Sequence, residues 1–298
     1  MMGRVTQGMM NAQLLRNLNT NLNRMNNESN QLSTGRKINK PSDDPVGLTF
    51  ALRYRSELAA NEQYQKNVDS ALSWLEYTDT TLDQAGSVLQ RARELAVNGA
   101  NGTNPQEALD SIKSEMGQLY NQLVSIGNSQ FNGKYVFNGQ KTDIPPYSVD
   151  NATKDKTDNS AIQYEIGAGV KLPINATGEQ VFGKADSPDN AFQVLQDLMG
   201  ALEKGETGKV SELIGKIDQR MDSFLQIRSD IGAKTNRVEL AQSRLKDINI
   251  NLQDLQSKVE DADFAEVITK LQVSENVYQA SLSMGAKLIT PTLVDFLR

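Results

Sequence analysis

The sequence predicts a mainly α fold: an elongated antiparallel coiled-coil or helical-bundle rod carrying one small β-rich inserted domain. Three observations carry this. Apolar residues recur at alternating three- and four-residue steps over segments far longer than an ordinary globular helix. No Pro falls between Pro45 and Pro105, or between Pro188 and Pro291. Only between about residues 130 and 187 does the apolar period shorten toward two.

The first stripe is Leu14, Leu18, Leu22, Met25 and Leu32, with Ser29 filling the missing step. Gly35 stops it. Asp44 is a good N-cap, and Pro45 at the first helical position loses no needed hydrogen bond. Ala71, Leu75, Thr78, Leu82, Ala85, Leu89, Ala92 and Ala96 then step without error. A helix from Val46 to Asn98 would be roughly 80 Å long and needs a partner helix along it. Asn98 to Gly102 reads as a loop. Pro105 opens a second stripe of Leu109, Ile112, Met116, Leu119, Leu123 and Ile126, expected to fold back antiparallel on the first.

Phe131 to Gly139 alternates and ends in Asn-Gly, a hairpin signal. Ile162, Tyr164 and Ile166 alternate, Gly167 to Gly169 turns the chain, and Val170, Leu172 and Ile174 return it. Pro173 demotes that strand to an edge. Asp150 to Ser160 reads as a surface loop, and the insert over residues 140–187, which has no heptad, is expected to draw its folding energy locally. Pro188 is expected to open a short helix through Leu202. A third long helix, about Val210 to Val259, carries Ile214, Ile217, Met221, Phe224, Ile231 and Val238, then Ala241, Leu245, Ile248, Leu252, Leu255 and Val259. A phase slip is expected at Val238. Asp261-Ala262-Asp263 breaks this helix and caps the next.

Both ends of the chain are amphipathic and poor in charge. Met9 to Leu32 is loaded with Asn and Gln, and Ala262 to Arg298 is rich in Ala, Ser and Gly. The small residues Ala280, Ser281, Ser283, Gly285 and Ala286 permit close helix approach. Such helices are marginal alone and stable once paired. The expected assembly residues are Leu14, Leu18, Leu22, Met25 and Leu32 at one end. At the other they are Leu271, Tyr278, Leu282, Leu288, Leu293, Phe296 and Leu297. The expected organisation is an N-terminal assembly helix (1–40), rod helices (41–129), a β-rich domain (130–187), further rod helices (188–260) and a C-terminal assembly helix (261–298).

Composition removes many enzymatic readings. The 298 residues contain no His and no Cys, so thiol nucleophiles, disulfides, imidazole bases and Cys/His zinc sites are excluded. A net charge of -6 argues against nucleic acid as the main partner. No apolar run is long enough to insert in a membrane, and the N-terminus lacks the apolar stretch of a cleaved signal peptide.

Candidate chemical groups have simpler structural readings. Asp43 and Asp44 beside Pro45 read as a cap before an acid–base pair. Glu260, Asp261, Asp263 and Glu266 lack the ligand spacing and Gly of a calcium loop, so a cap and solvated face is expected. Arg36, Lys37 and Lys40 could meet a phosphate, or acidic neighbours, or water. Trp74 lies beside the seam as a core or rim residue. Gly133 and Gly139 are turn glycines, because no helix follows them at phosphate-loop spacing.

Three motifs then bring a resemblance. Leu32-Ser33-Thr34-Gly35-Arg36-Lys37-Ile38-Asn39-Lys40-Pro41-Ser42-Asp43-Asp44-Pro45 resembles the N-terminal signature of the bacterial flagellin family. Arg228-Ser229-Asp230-Ile231-Gly232-Ala233-Lys234-Thr235-Asn236-Arg237 and Asp261-Ala262-Asp263-Phe264-Ala265-Glu266 resemble its C-terminal motifs. They stand in the expected order, and the resemblance spans most of the chain outside 140–205. Within the family, Pro41-Ser42-Asp43-Asp44-Pro45-Val46-Gly47, the Phe131 to Gly139 segment, Ile174 to Gly183 and the ending Val294 to Arg298 are closer to junction subunits than to filament subunits. The resemblance implies an extracellular structural subunit between hook and filament. It implies copies of the chain in a ring, neighbouring hook-associated and flagellin-side subunits, a cytoplasmic export chaperone, and no catalytic, cofactor or metal residue. A short filament flagellin and a coiled-coil adaptor are the alternatives. An adaptor needs a convergent pocket at 130–187, where Tyr135, Phe137, Tyr147, Tyr164 and Phe182 are scattered.

Overall fold

The computed structural model describes residues 7–288, and its chain divides into two compact units. Its element order is α1 (Gln7–Thr34), α2 (Pro45–Gly99), α3 (Gln106–Gly127), β1 (Gln130–Phe131), β2 (Lys134–Tyr135), β3 (Gln163–Gly167), β4 (Val170–Pro173), α4 (Gly178–Phe182), α5 (Ala191–Glu203), α6 (Thr207–Glu260) and α7 (Phe264–Leu288). The fold is mainly α with two small antiparallel hairpins among the described residues.

The unit of residues 61–248 is a helical bundle. Its α2 stripe from Ala71 to Ala96 is buried at every step of the sequence pattern, as is the α3 stripe from Leu109 to Ile126. Each buried Leu contributes on the order of 1.5–3 kcal/mol. Helix α6 runs antiparallel to α2. Asn61 Nδ2 donates to Leu245 O at 3.0 Å, Arg228 Nε to Asp79 at 3.0 Å, and Arg93 lies 2.5 Å from Asp218. Helix α3 runs antiparallel to α2, with Arg91 2.8 Å from Glu115, and α5 packs antiparallel on α3, with Lys113 3.0 Å from Glu203.

The expected phase slip at Val238 is absent. Val238 is fully buried, and Val210, Leu213, Ile217, Phe224, Ile231, Val238 and Leu245 form one unbroken series. The slip came from counting Ile214 and Met221, which flank the seam and are only half-buried. Leu213 and the buried stem of Arg220 occupy those steps instead. Leu255 is exposed, and Gln256 takes its seam place.

The hairpin turn also lies elsewhere than expected. β1 and β2 pair Gln130 with Tyr135 and Phe131 with Lys134 across Asn132-Gly133, whose φ values of 51° and 76° suit a two-residue hairpin turn. The second Asn-Gly, Asn138-Gly139, turns a separate corner, with Asn138 Nδ2 donating to Ile144 O. β3 and β4 pair Tyr164 with Leu172 and Gln163 with Pro173, with a register shift before Gly167. Asn190, not Pro188, caps α5, its side chain accepting from Phe192 N and Gln193 N. The short α4 was not expected. It is fixed by a capping box in which Thr177 and Gln180 satisfy each other's backbone N–H.

The insert is not energetically local. Phe182 meets Phe137 at 5.4 Å, Phe192 of α5 at 5.1 Å and Phe224 of α6 at 6.0 Å between ring centroids. The Asp150 to Ser160 stretch buries Ala152 and Thr153, while Asp158 accepts from Gln140 N and Asp155 from Ser148 N. Trp74 is core: its ring sits edge-on to Phe131 at 5.8 Å.

In the other unit, α1 lies antiparallel to α7 and the ends of α2 and α6 join them. Asp44 Oδ1 accepts from Val46 N and Gly47 N, and Asp43 Oδ2 accepts from Asn39 N and Lys40 N. Both carboxylates are therefore used in shaping the turn. A Cβ at Gly47 would stand 2.8 Å from Ile38 Cδ1 and 2.4 Å from Asp44 Oδ2, so the missing side chain leaves room for the Asp44 cap and the buried Ile38.

Candidate assembly surface

The α1–α7 pair is built from two stripes. Leu14, Leu18, Leu22, Met25 and Leu32 are half-buried on one side of α1. Facing them, α7 presents Val267, Leu271, Ser274, Tyr278, Ser281 and Gly285, each half-buried or buried at alternating steps of four and three. Asn21 Nδ2 donates to Ser281 Oγ at 3.4 Å. At Gly285 a Cβ would come within 2.8 Å of Leu14 Cδ2, so the missing side chain lets Leu14 rest on the α7 backbone.

The step assigned to Ser29 belongs to Glu28. Glu28 keeps 8% of its exposure, whereas Ser29 is exposed. Counting back four residues from Leu32 rather than three finds it. Being charged, it stands outside the apolar stripe. Its Oε2 has no hydrogen-bond partner among the described residues. Lys270, paired with Glu266 at 2.7 Å, has its pKa raised chiefly by that hydrogen bond, with a smaller contribution from Glu28.

The two connections beside the pair are clipped together. Lys37 N donates to Glu260 O at 2.6 Å and Ala262 N to Gly35 O at 3.0 Å, forming an antiparallel bridge between Arg36 and Asp261. Glu260 is buried below this bridge, with Arg55 at 2.7 Å and Arg36 at 4.0 Å. The acidic cluster thus divides its work. Glu260 is a buried ion-pair partner rather than part of a solvated face. Asp263 caps α7 through Ala265 N and Glu266 N, and Glu266 pairs with Lys270. Arg36 of the basic knot meets an acidic neighbour within its own chain.

Apolar side chains also lie off this seam. Phe264, Ile268 and Leu282 are exposed along one flank of α7, and Val273, Val277 and Met284 along the other. Met9, Met10 and Leu15 are exposed on α1. Leu282, named from sequence with the seam residues, stands outside it. The side chain of Leu288 and residues Leu293, Phe296 and Leu297 lie outside the described residues. Sequence reading also missed Asn21, Glu28, Val267 and Ser274. Three of these are not apolar, and Val267 follows the cap too closely to extend a visible stripe.

The chain matches the family model described as the bacterial flagellin N-terminal helical region over residues 5–142. It matches that of the bacterial flagellin C-terminal helical region over residues 214–297. It is 29% identical to the flagellin of Bacillus subtilis over 290 residues, covering 91% of this chain and 93% of that protein. It is 25% identical to flagellar hook-associated protein 3 of Escherichia coli over 273 residues, covering 84% and 86%. The fold resembles that of a solved putative flagellar hook-associated protein from Vibrio parahaemolyticus, with a TM-score of 0.68 and 21% identity, covering 74% of this chain and 100% of that one. Two matched helical regions flanking a short insert place the chain in the bacterial flagellin family, as an exported structural subunit of the extracellular flagellum.

Proposed function

We propose that this subunit forms the junction between hook and filament and gives flagellin a surface on which to polymerise, and so supports motility. In this reading copies of the chain close into a ring, with a hook-associated protein on one side and flagellin on the other. Segments 1–40 and 261–298 are the assembly segments, and a cytoplasmic chaperone holds the exposed C-terminal helix before export. The observation that carries the assembly role is α7. One side packs on α1, yet both flanks remain apolar and exposed, and a helix apolar around most of its circumference needs more neighbours than one chain supplies. The junction assignment is supported by the Pro41 to Gly47 and Phe131 to Gly139 motifs and by the likeness to hook-associated protein 3.

Electron microscopy of a strain lacking this chain tests the proposal. Hooks without filaments, together with flagellin shed into the medium, are expected. Normal filaments on normal hooks would remove the junction role. The near full-length likeness to Bacillus subtilis flagellin favours a second reading, a short filament subunit. That reading requires the purified chain to extend filament seeds into long filaments.

A further inference from the structure

We propose that Asn101 is a site of spontaneous deamidation, and that the loop between α2 and α3 is built in a way that promotes it there. The chain has four Asn-Gly pairs, at Asn98, Asn101, Asn132 and Asn138. Glycine after asparagine leaves the following backbone nitrogen unhindered, so all four are chemical candidates. The structure separates them.

Gly99 lies in the last turn of α2, and a Cβ there would come within 2.5 Å of Leu202 Cδ2. Gly139 is walled in by Asp158, whose carbonyl oxygen would lie 2.3 Å from a Cβ. The Asn138 amide is fixed at both ends, donating to Ile144 O and accepting from Asp158 N. Asn98 is held within the last turn of α2, with a single donor, Asn104 Nδ2, on its Oδ1 at 3.4 Å, and Asn138 is tethered at both ends of its amide. Gly102 and Gly133 are open, with nothing within 4 Å of a Cβ position. Asn132, however, is held in the left-handed region by strand pairing on either side, and no described residue donates to its side-chain carbonyl.

Asn101 is different. It is exposed, and its Oδ1 accepts two hydrogen bonds, from Thr103 Oγ1 at 2.9 Å and Thr103 N at 3.3 Å. Two donors on a carbonyl oxygen polarise it and stabilise the oxyanion that forms when a nucleophile adds. The Gly102 nitrogen, its proton taken by hydroxide, attacks Asn101 Cγ. The water so formed returns a proton to Nδ2, regenerating hydroxide, and the bond from Cγ to Nδ2 breaks so that ammonia leaves and a cyclic imide remains. One water then opens the ring to aspartate or isoaspartate. The product carries a new carboxylate between the carbonyl end of α2 and the N-terminus of α3, whose cap, Pro105, offers no side-chain acceptor.

The test is peptide mapping by mass spectrometry of the full chain during incubation in mildly alkaline buffer. Amide-to-acid conversion is expected first at Asn101, more slowly at Asn132, and last at Asn98 and Asn138. Thr103→Val removes one donor and is expected to slow conversion at Asn101 several-fold while leaving Asn132 unchanged. Gly102→Ala is expected to suppress it further. Circular dichroism of each variant checks that the fold is kept. Conversion at Asn132 as fast as at Asn101, or an unchanged Asn101 rate in folded Thr103→Val, would overturn the proposal.

Discussion

The guanidinium of Arg55 grips the carboxylate of Glu260, with Nη2 donating to Oε2 at 2.7 Å and Nε 2.7 Å from Oε1, while the Glu260 side chain keeps only 3% of its exposure. The backbone of Glu260 meanwhile holds Lys37 N. One residue therefore ties α2, α6 and the link after α1 together. Arg55→Ala leaves the buried carboxylate with Gln256 and the more distant Arg36. Because Arg55 itself is 41% exposed and solvent screens the pair, the change is expected to cost about 1–2 kcal/mol. Glu260→Gln keeps a hydrogen-bonding group and is expected to cost less. Hydrogen exchange at the Lys37 and Ala262 amides reads the clip directly. Both are expected to lose protection in Arg55→Ala, while amides of the 61–248 bundle keep theirs.

The same contact sets a pH dependence. Burial pushes the Glu260 pKa up, but hydrogen bonds from Arg55 and Gln256 and the charges of Arg55 and Arg36 outweigh it, leaving the carboxyl below its ordinary value. A pKa lowered by folding means that the contribution is complete above the unfolded value, about 4.3 for Glu, and is lost as pH falls through the folded value. Clip protection is thus expected to stay level from neutral down to about pH 5 and to decline below pH 4. In Glu260→Gln that step should vanish. A step of unchanged size would assign it to other carboxylates.

Gly285 sets how closely α1 and α7 approach. Gly285→Ala is expected to be tolerated, because the atom it meets is the flexible end of Leu14. Gly285→Leu is expected to force the helices apart and abolish assembly while leaving the thermal unfolding of the bundle unchanged. Leu14→Ala in the Gly285→Leu background makes room and is expected to restore part of the assembly. Sedimentation and electron microscopy measure both outcomes.

The insert and the helical bundle are expected to fail together. Leu119→Asp places a carboxylate in the α3 seam and is expected to cost about 3–5 kcal/mol. Deleting Asn151 to Asn159 removes buried Ala152 and Thr153 and the Asp158 brace of Gln140. It is expected to cost several kcal/mol as well, well above the logarithmic penalty of shortening a free loop. Urea melts compare the two. A deletion that leaves the midpoint unchanged would show that the aromatic cluster holds without it.

Limited proteolysis of the free chain should cut first in the terminal unit. There the buried apolar residues, among those described, are Ile38, Ala51 and Val267, against a large cluster in residues 61–248. A protected fragment close to that bundle is the expected product. Full-length resistance would mean that the α1–α7 pair is stable without neighbours.

The sequence alone determined the long helices, their caps and most of their buried faces. In those segments a single requirement, apolar burial at the helical period, controls both composition and structure. The Ala71 to Ala96 and Leu109 to Ile126 stripes, the Asp44 cap and the Gly35 stop were all legible for that reason. Only the tertiary structure decided where the pattern admits a non-apolar residue. Glu28 and Ser274 occupy seam positions, Gly285 works by lacking a side chain, and Glu260 is buried because Arg55 and Arg36, distant in sequence, neutralise it. The insert followed the same division. Its two hairpins were signalled by alternation and glycine. Its attachment to the helices through Phe182, Phe192 and Phe224 was not, because contacts between aromatic residues far apart in the chain leave no local period to read.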